Sequence, residues 1–261
     1  MNSASQSQVS VKDTLDKRRS GVSAGSLLAD GVTSLGLLAG CFALVLAIDG
    51  HFEFAGLMIG VSIVCDIADG LLARAVHSSS RFGLEFDSLA DVVSFGVAPA
   101  ILAASWALRV FHLWAVLLVG AYIVCAALRL ARFNIQADTP DGKRCSVGLP
   151  VPGAAAAIVG IMFGYQCFGL DVLPVLAATM AIAMPALAAL MVSRLPYSAI
   201  KVSDPHSLLS PKALGAAIAA AVLLVAAPRL TASVVGVGYL LSGPVMKASG
   251  ERIGGNPSTY Q

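Results

Sequence analysis

The sequence predicts an all-α, polytopic membrane bundle, and three observations predict it. Of 261 residues, 57% are hydrophobic and 12% charged, and the mean hydropathy is +0.82. A water-facing domain carries about 25% charged and about 45–50% apolar residues. The apolar residues also fall in runs near the ~20 needed to cross about 30 Å of hydrocarbon. The cations, finally, gather at alternate ends of those runs, the positive-inside pattern. Together these exclude a soluble enzyme, a disordered chain and a nucleic-acid binder with a basic stripe. The net charge of +2 is too small to imply an anionic partner.

Residues 1–26 are polar and Ser-rich, too long for the n-region of a cleavable signal, and the next apolar run is too long for an h-region. They are expected to form a cytoplasmic segment. Candidate spans follow at 27–48, 52–76, 84–108, 111–133, 151–169, 172–193, 212–227 and 229–246, the last two separated by Pro228. A transmembrane core is thus expected over 27–195 and a cytoplasmic connection with a C-terminal hairpin over 196–246. A cytoplasmic tail takes 247–261. With eight spans and a cytoplasmic N-terminus, fifteen of the 17 Lys and Arg residues fall inside, leaving Arg109 and Arg229 outside. Both termini are then cytoplasmic. Trp106 and Trp114 flank an outer loop, as interfacial aromatics do.

Gly36-x-x-x-Gly40 and Gly160-x-x-x-Gly164 each put two glycines on one helix face. They suit close packing within the chain, and also a homodimer seam. The 5 cysteines show no metal or disulfide spacing and read as small packing residues.

Against this apolar background the acids stand out. Asp66 and Asp69 are three apart near the end of the second span. Asp87 and Asp91 are four apart near the start of the third, so each pair shares a helix face. The connection, residues 77–82, is short enough to make the two helices antiparallel neighbours, and four carboxylates then converge near the cytoplasmic interface. Each costs about 2.5–3.5 kcal/mol at a span centre, and repulsion adds to that. Something positive must neutralise them. Arg74 and Arg81 supply two charges at most. All-Asp ligation without His or Cys points to Mg²⁺, Mn²⁺ or Ca²⁺ rather than zinc. Two such ions about 3.5–4 Å apart serve phosphoryl chemistry. Gly70, Ala73 and Gly83 clear space for a substrate, Arg74 can pair with a phosphate, and Ser78, Ser79 and Ser80 can donate to its oxygens.

Asp66-x-x-Asp69-Gly70-x-x-Ala73-Arg74, eight residues, then Gly83-x-x-x-Asp87-x-x-x-Asp91 resembles the full signature of the CDP-alcohol phosphatidyltransferases. The run from Phe86 to Pro99, FDSLADVVSFGVAP, is similar to the phosphatidylserine synthase branch. So are Arg129-Leu130-Ala131-Arg132-Phe133-Asn134 and Gly148-Leu149-Pro150-Val151-Pro152. The resemblance covers roughly 27–195. Two positions depart from it: the first span reads Ala29-Asp30-Gly31-Val32-Thr33 where the family has Pro-Asn-x-x-Thr, and Ser146 replaces an aromatic before Gly-Leu-Pro.

The resemblance implies a six-helix core around a cytoplasm-facing cavity, with additional helices in some members. It implies two divalent cations, Mg²⁺ or Mn²⁺, held by Asp66, Asp69 and Asp87, with Asp91 reaching the second ion and acting as base. Gly70, Ala73, Arg74, Ser80, Gly83 and Thr33 would contact the CDP-lipid. Beside the resemblance, Arg129 and Arg132 suit either anchoring at the cytoplasmic end of their span or, for one of them, binding the carboxylate of serine. The implied reaction transfers the phosphatidyl group of CDP-diacylglycerol to L-serine with release of CMP, in a bacterial inner membrane. Nucleic acid is no partner. Two rivals stand beside this reading. One keeps the chemistry but takes another acceptor alcohol, of the glycerol 3-phosphate or inositol type. The other is a divalent-cation transporter, which the clustering of acids at one interface and the lack of an inverted repeat argue against.

Overall fold

In the computed structural model, residues 24–76, 81–137, 148–169 and 172–193 are described, with Ser233, Val234, Gly236 and Gly238. The first six apolar runs each become a helix long and apolar enough to cross a membrane, and no strand occurs among the described residues. The helices are α1 (Ala24–Ile48), α2 (Phe52–Val76), α3 (Arg81–Asp91), α4 (Ala98–Trp106), α5 (Leu113–Ala137), α6 (Val151–Phe168) and α7 (Leu173–Val192). A π-helical turn, Val92–Val97, joins α3 to α4, so these two pieces make the third span. The connection before α3 is shorter than the sequence suggested, because Arg81 and Phe82 are already helical. The expected N-terminal segment, the connection after the sixth span, the hairpin and the tail lie outside the described residues. Four helical positions within 229–246 are the exception.

The first two spans form an antiparallel pair, reversed through Asp49 and Gly50, whose φ of +84° suits glycine. Ala39, Ala43 and Ala47 of α1 are buried, with Ala55 and Ile59 of α2, while Leu35, Leu38, Phe42 and Val45 face outward. Small residues inside and large apolar ones outside is the pattern of a helix packed in lipid. A Cβ on Gly36 would lie 3.1 Å from Cys65 Cβ, and one on Gly40 would lie 2.8 Å from Ser94 Cα. The first glycine pair is therefore used inside the chain. Gly164 likewise lies beside Ser233, and Gly236 against the backbone of Ala156.

The π turn has a cause in the sequence. Pro99 has no N–H to offer the carbonyl of Phe95 four residues earlier, and its ring crowds that carbonyl. The turn widens there, and the Tyr122 hydroxyl of α5 donates to the Phe95 carbonyl at 3.2 Å. At the other end of α5, the Asn134 amide donates to Ser88 Oγ at 2.9 Å, while the Ser88 hydroxyl donates to the Leu84 carbonyl at 3.0 Å. These two links hold α5 against the third span on either side of Asp91.

Before α6, Gly148 has φ +90°, and a Cβ there would come 2.5 Å from the Met191 carbonyl. Leu149 N–H donates to the Leu190 carbonyl at 3.1 Å. The Gly-Leu-Pro segment thus closes the C-terminal end of α7, satisfying a carbonyl that a helix end leaves open. At the opposite end of the bundle, Arg109 stacks over Phe52 at 5.7 Å, and Trp106 meets Tyr165 edge-on.

Candidate active site

The acids lie where α1, α2 and α3 meet. Asp66 and Asp69 are in the last three turns of α2 and Asp87 and Asp91 in the second half of α3, as three- and four-residue spacings on facing helices require. Asp66, Asp69 and Asp87 each offer an oxygen, and these atoms all lie within 4.8 Å of one another. Asp91 is outside that close trio but within electrostatic range of all three. The four line a small cleft with Thr33, Gly36, Ser62, Ser94 and Phe95.

A polar seam on α1 forms the cleft's other wall. Thr33 Oγ1 donates to Asp69 Oδ2 at 2.6 Å, and Asp69 also accepts from the Gly70 backbone N–H. One turn along, the Gly36 carbonyl accepts from Ser62 Oγ at 2.6 Å and, more weakly, from Ser94 Oγ at 3.4 Å. Ser62 lies one turn before Asp66 and Ser94 one turn after Asp91. A single carbonyl therefore ties both acid-bearing spans to the first. Sequence reasoning missed Ser62 and Ser94. Their signal was a lone serine one helical turn from each acidic pair, on the apolar side.

The other expected site residues divide. Gly70 would place a Cβ in open space, with nothing described within 4 Å, so packing gives no reason for glycine there. Ala73 and Arg74 are in the last turn of α2 and Gly83 in the first turn of α3, while Ser80 lies outside the described residues. Arg129, half-buried on α5, acts electrostatically on Asp66 and Asp91. Arg132, one turn on, is exposed. The structure brings the first arginine to the acids and not the second. Asp30 is half-buried one turn before Thr33, and its carbonyl accepts from Ser34 Oγ at 2.7 Å.

The donor set fits a hard divalent cation. Three carboxylates converge from two helices, all ligand atoms are oxygen, and Arg129, the arginine that acts on them among the described side chains, cannot alone balance four acids. The chain is a multi-pass integral membrane protein, and a pair of divalent ions in such a cleft would be able to coordinate phosphate oxygens. Residues 26–243 match the CDP-alcohol phosphatidyltransferase family, and the chain belongs to it. Among its relatives is a Helicobacter pylori protein named CDP-diacylglycerol–serine O-phosphatidyltransferase, 35% identical over 127 residues, covering 49% of this chain and 53% of that one. A Bacillus subtilis protein of the same name is 33% identical over 171 residues, covering 65% and 89%. An archaetidylserine synthase of Methanothermobacter thermautotrophicus is 40% identical over 137 residues, covering 50% and 55%. The chain spans about half the length of the Helicobacter and Methanothermobacter relatives.

Proposed function

We propose that this protein transfers the phosphatidyl group of CDP-diacylglycerol to the hydroxyl of L-serine, releasing CMP and forming phosphatidylserine. The observation that carries the reading is the convergence of Asp66, Asp69 and Asp87 within 4.8 Å, on two helices spaced as the family signature requires. The relatives' printed names agree on serine and differ in the lipid part, which favours serine over glycerol 3-phosphate or inositol. Family membership favours a transferase over a cation passage.

Asp66, Asp69 and Asp87 would hold two divalent cations, Mg²⁺ or Mn²⁺, with Asp91 at the second. Bound there, the ions would supply charge neutralisation for the diphosphate and polarisation of its phosphorus. The chain's own residues do the rest. Gly70 leaves room for the diphosphate to approach the backbone, and Ala73, Arg74, Ser80 and Gly83 hold the CDP group. Arg129 receives the carboxylate of serine, where a planar guanidinium can bind it bidentately. Asp91 takes the proton of the serine hydroxyl, whose oxygen bonds to the β-phosphorus as the bond to the CMP oxygen breaks. The cleft opens on the cytoplasmic side of a bacterial inner membrane, both termini are cytoplasmic, and 212–246 supplies two further spans. The bias of the cations supports that topology.

An acceptor panel tests the proposal. Purified protein with Mn²⁺ or Mg²⁺ should release CMP from CDP-diacylglycerol when L-serine is present. Equal release with glycerol 3-phosphate or inositol, and none with serine, would refute the assignment.

A further inference from the structure

We infer that Thr33 is a positioning residue for Asp69, setting the direction in which that carboxylate presents its oxygens to a cation. This rests on the proposal that the acids hold divalent ions, and it departs from the family resemblance, which puts Thr33 on the nucleotide.

Thr33 is 7% exposed and Asp69 6%, so the contact between them is closed to solvent. Their 2.6 Å separation falls in the ~2.5–2.7 Å range of a hydroxyl donating to an ionised carboxylate. The Ala29 carbonyl is a competing acceptor at 3.1 Å. A hydroxyl has one hydrogen, and the shorter, charge-assisted bond takes it. To donate to a nucleotide, Thr33 would have to release Asp69. Free rotation of a carboxylate about its last bond would spread its oxygens over many directions. Tethering Oδ2 to Thr33 removes that freedom while Asp66 and Asp87 stand within 4.8 Å.

The tether is itself held. Thr33 is β-branched, which restricts its side chain on a helix. Three residues on, Ser62 Oγ donates to the Gly36 carbonyl at 2.6 Å, and Gly36 closely approaches Cys65. The height of α1 against α2 is therefore fixed beside the Thr33–Asp69 bond. Outer hydrogen bonds of this kind orient metal ligands, and losing one costs about 10–100-fold in metal affinity.

The test is Mn²⁺ binding to the detergent-purified full chain, followed by electron paramagnetic resonance without CDP-lipid or acceptor. Thr33→Val keeps the shape and removes the hydroxyl, so Mn²⁺ should bind about 10–100-fold more weakly, and Thr33→Ser should restore most of the loss. Thr33→Ala is a second hydroxyl-free variant with the same expected outcome, should the valine fold poorly. In an Asp69→Asn background, Thr33→Val should change Mn²⁺ affinity less than about twofold, since the oriented ligand is already gone. Wild-type Mn²⁺ affinity in both hydroxyl-free variants, with loss of CDP-lipid binding instead, would overturn the inference and return Thr33 to the nucleotide. No Mn²⁺ binding by the wild-type chain would overturn the proposed cation site itself, and the inference with it.

Discussion

Gly40→Ala probes the link between the first span and the acid-bearing third. On α1 this substitution alone would stabilise the helix by about 0.5–1 kcal/mol, because alanine loses less backbone entropy than glycine. Packing opposes it. The new Cβ would lie 2.5 Å from Ser94 Oγ, 2.8 Å from Ser94 Cα and 3.0 Å from Ser94 Cβ. A rotamer change can move the hydroxyl but not the Cα, which stands 0.6 Å inside the 3.4 Å at which ordinary contact begins. The spans must separate by about that much, at a cost near the upper part of the ~1–3 kcal/mol of overpacking. Overpacking wins, and a net loss of about 1–2 kcal/mol is expected. Ser94 follows Asp91 by one turn, so the shift carries Asp91 away from Asp66 and Asp69. A misplacement of about 1 Å costs on the order of 100-fold in rate, so about tenfold is expected here.

The assay is serine-dependent CMP release alongside thermal inactivation in detergent. Adding Ser94→Ala to Gly40→Ala removes the hydroxyl clash but leaves the Cα, so rescue should be partial at most. Gly60→Ala, where nothing described lies within 4 Å of the new Cβ, is the control and should keep full activity. A Gly40→Ala protein as stable and active as the wild type would refute the close approach of the first and third spans.

Two further expectations follow from the same geometry. Asp91→Asn should leave CDP-lipid binding and the Mn²⁺ held by the Asp66–Asp69–Asp87 trio largely intact while turnover falls about 10²–10⁴-fold, the contribution of a general base; near-normal turnover removes Asp91 from that role. Tyr122→Phe strips the donor from the Phe95 carbonyl that Pro99 leaves open, and should cost about 1–3 kcal/mol of stability. An unchanged inactivation temperature would mean that this carbonyl finds another partner.

How much of this was legible beforehand depends on the range of the interaction concerned. Span lengths are a local property: crossing hydrocarbon requires about 20 apolar residues, and six expected runs became six helices within a few residues of their expected ends. The acidic pairs were equally legible, because spacings of three and four fix a shared face on any helix. Gly148 and Pro99 carry local signals as well, although nothing in the apolar run 84–108 marks the π turn that Pro99 provokes apart from ordinary helix. Other features involve groups far apart along the chain. Thr33 meets Asp69 across 36 residues, and Ser62 and Ser94 meet the Gly36 carbonyl across 26 and 58. Nothing in helical periodicity says which neighbouring helix a face will meet, or at what height. That choice is made by side-chain packing, here by Gly36 against Cys65 and Gly40 against Ser94. For the same reason, two arginines one turn apart were equal candidates in the sequence. Only the packing of α5 against the third span turns Arg129 to the acids and leaves Arg132 exposed. Composition and spacing alone thus determined the chemistry available to this chain. The contacts between its helices decided which hydroxyls and which arginine stand beside the acids.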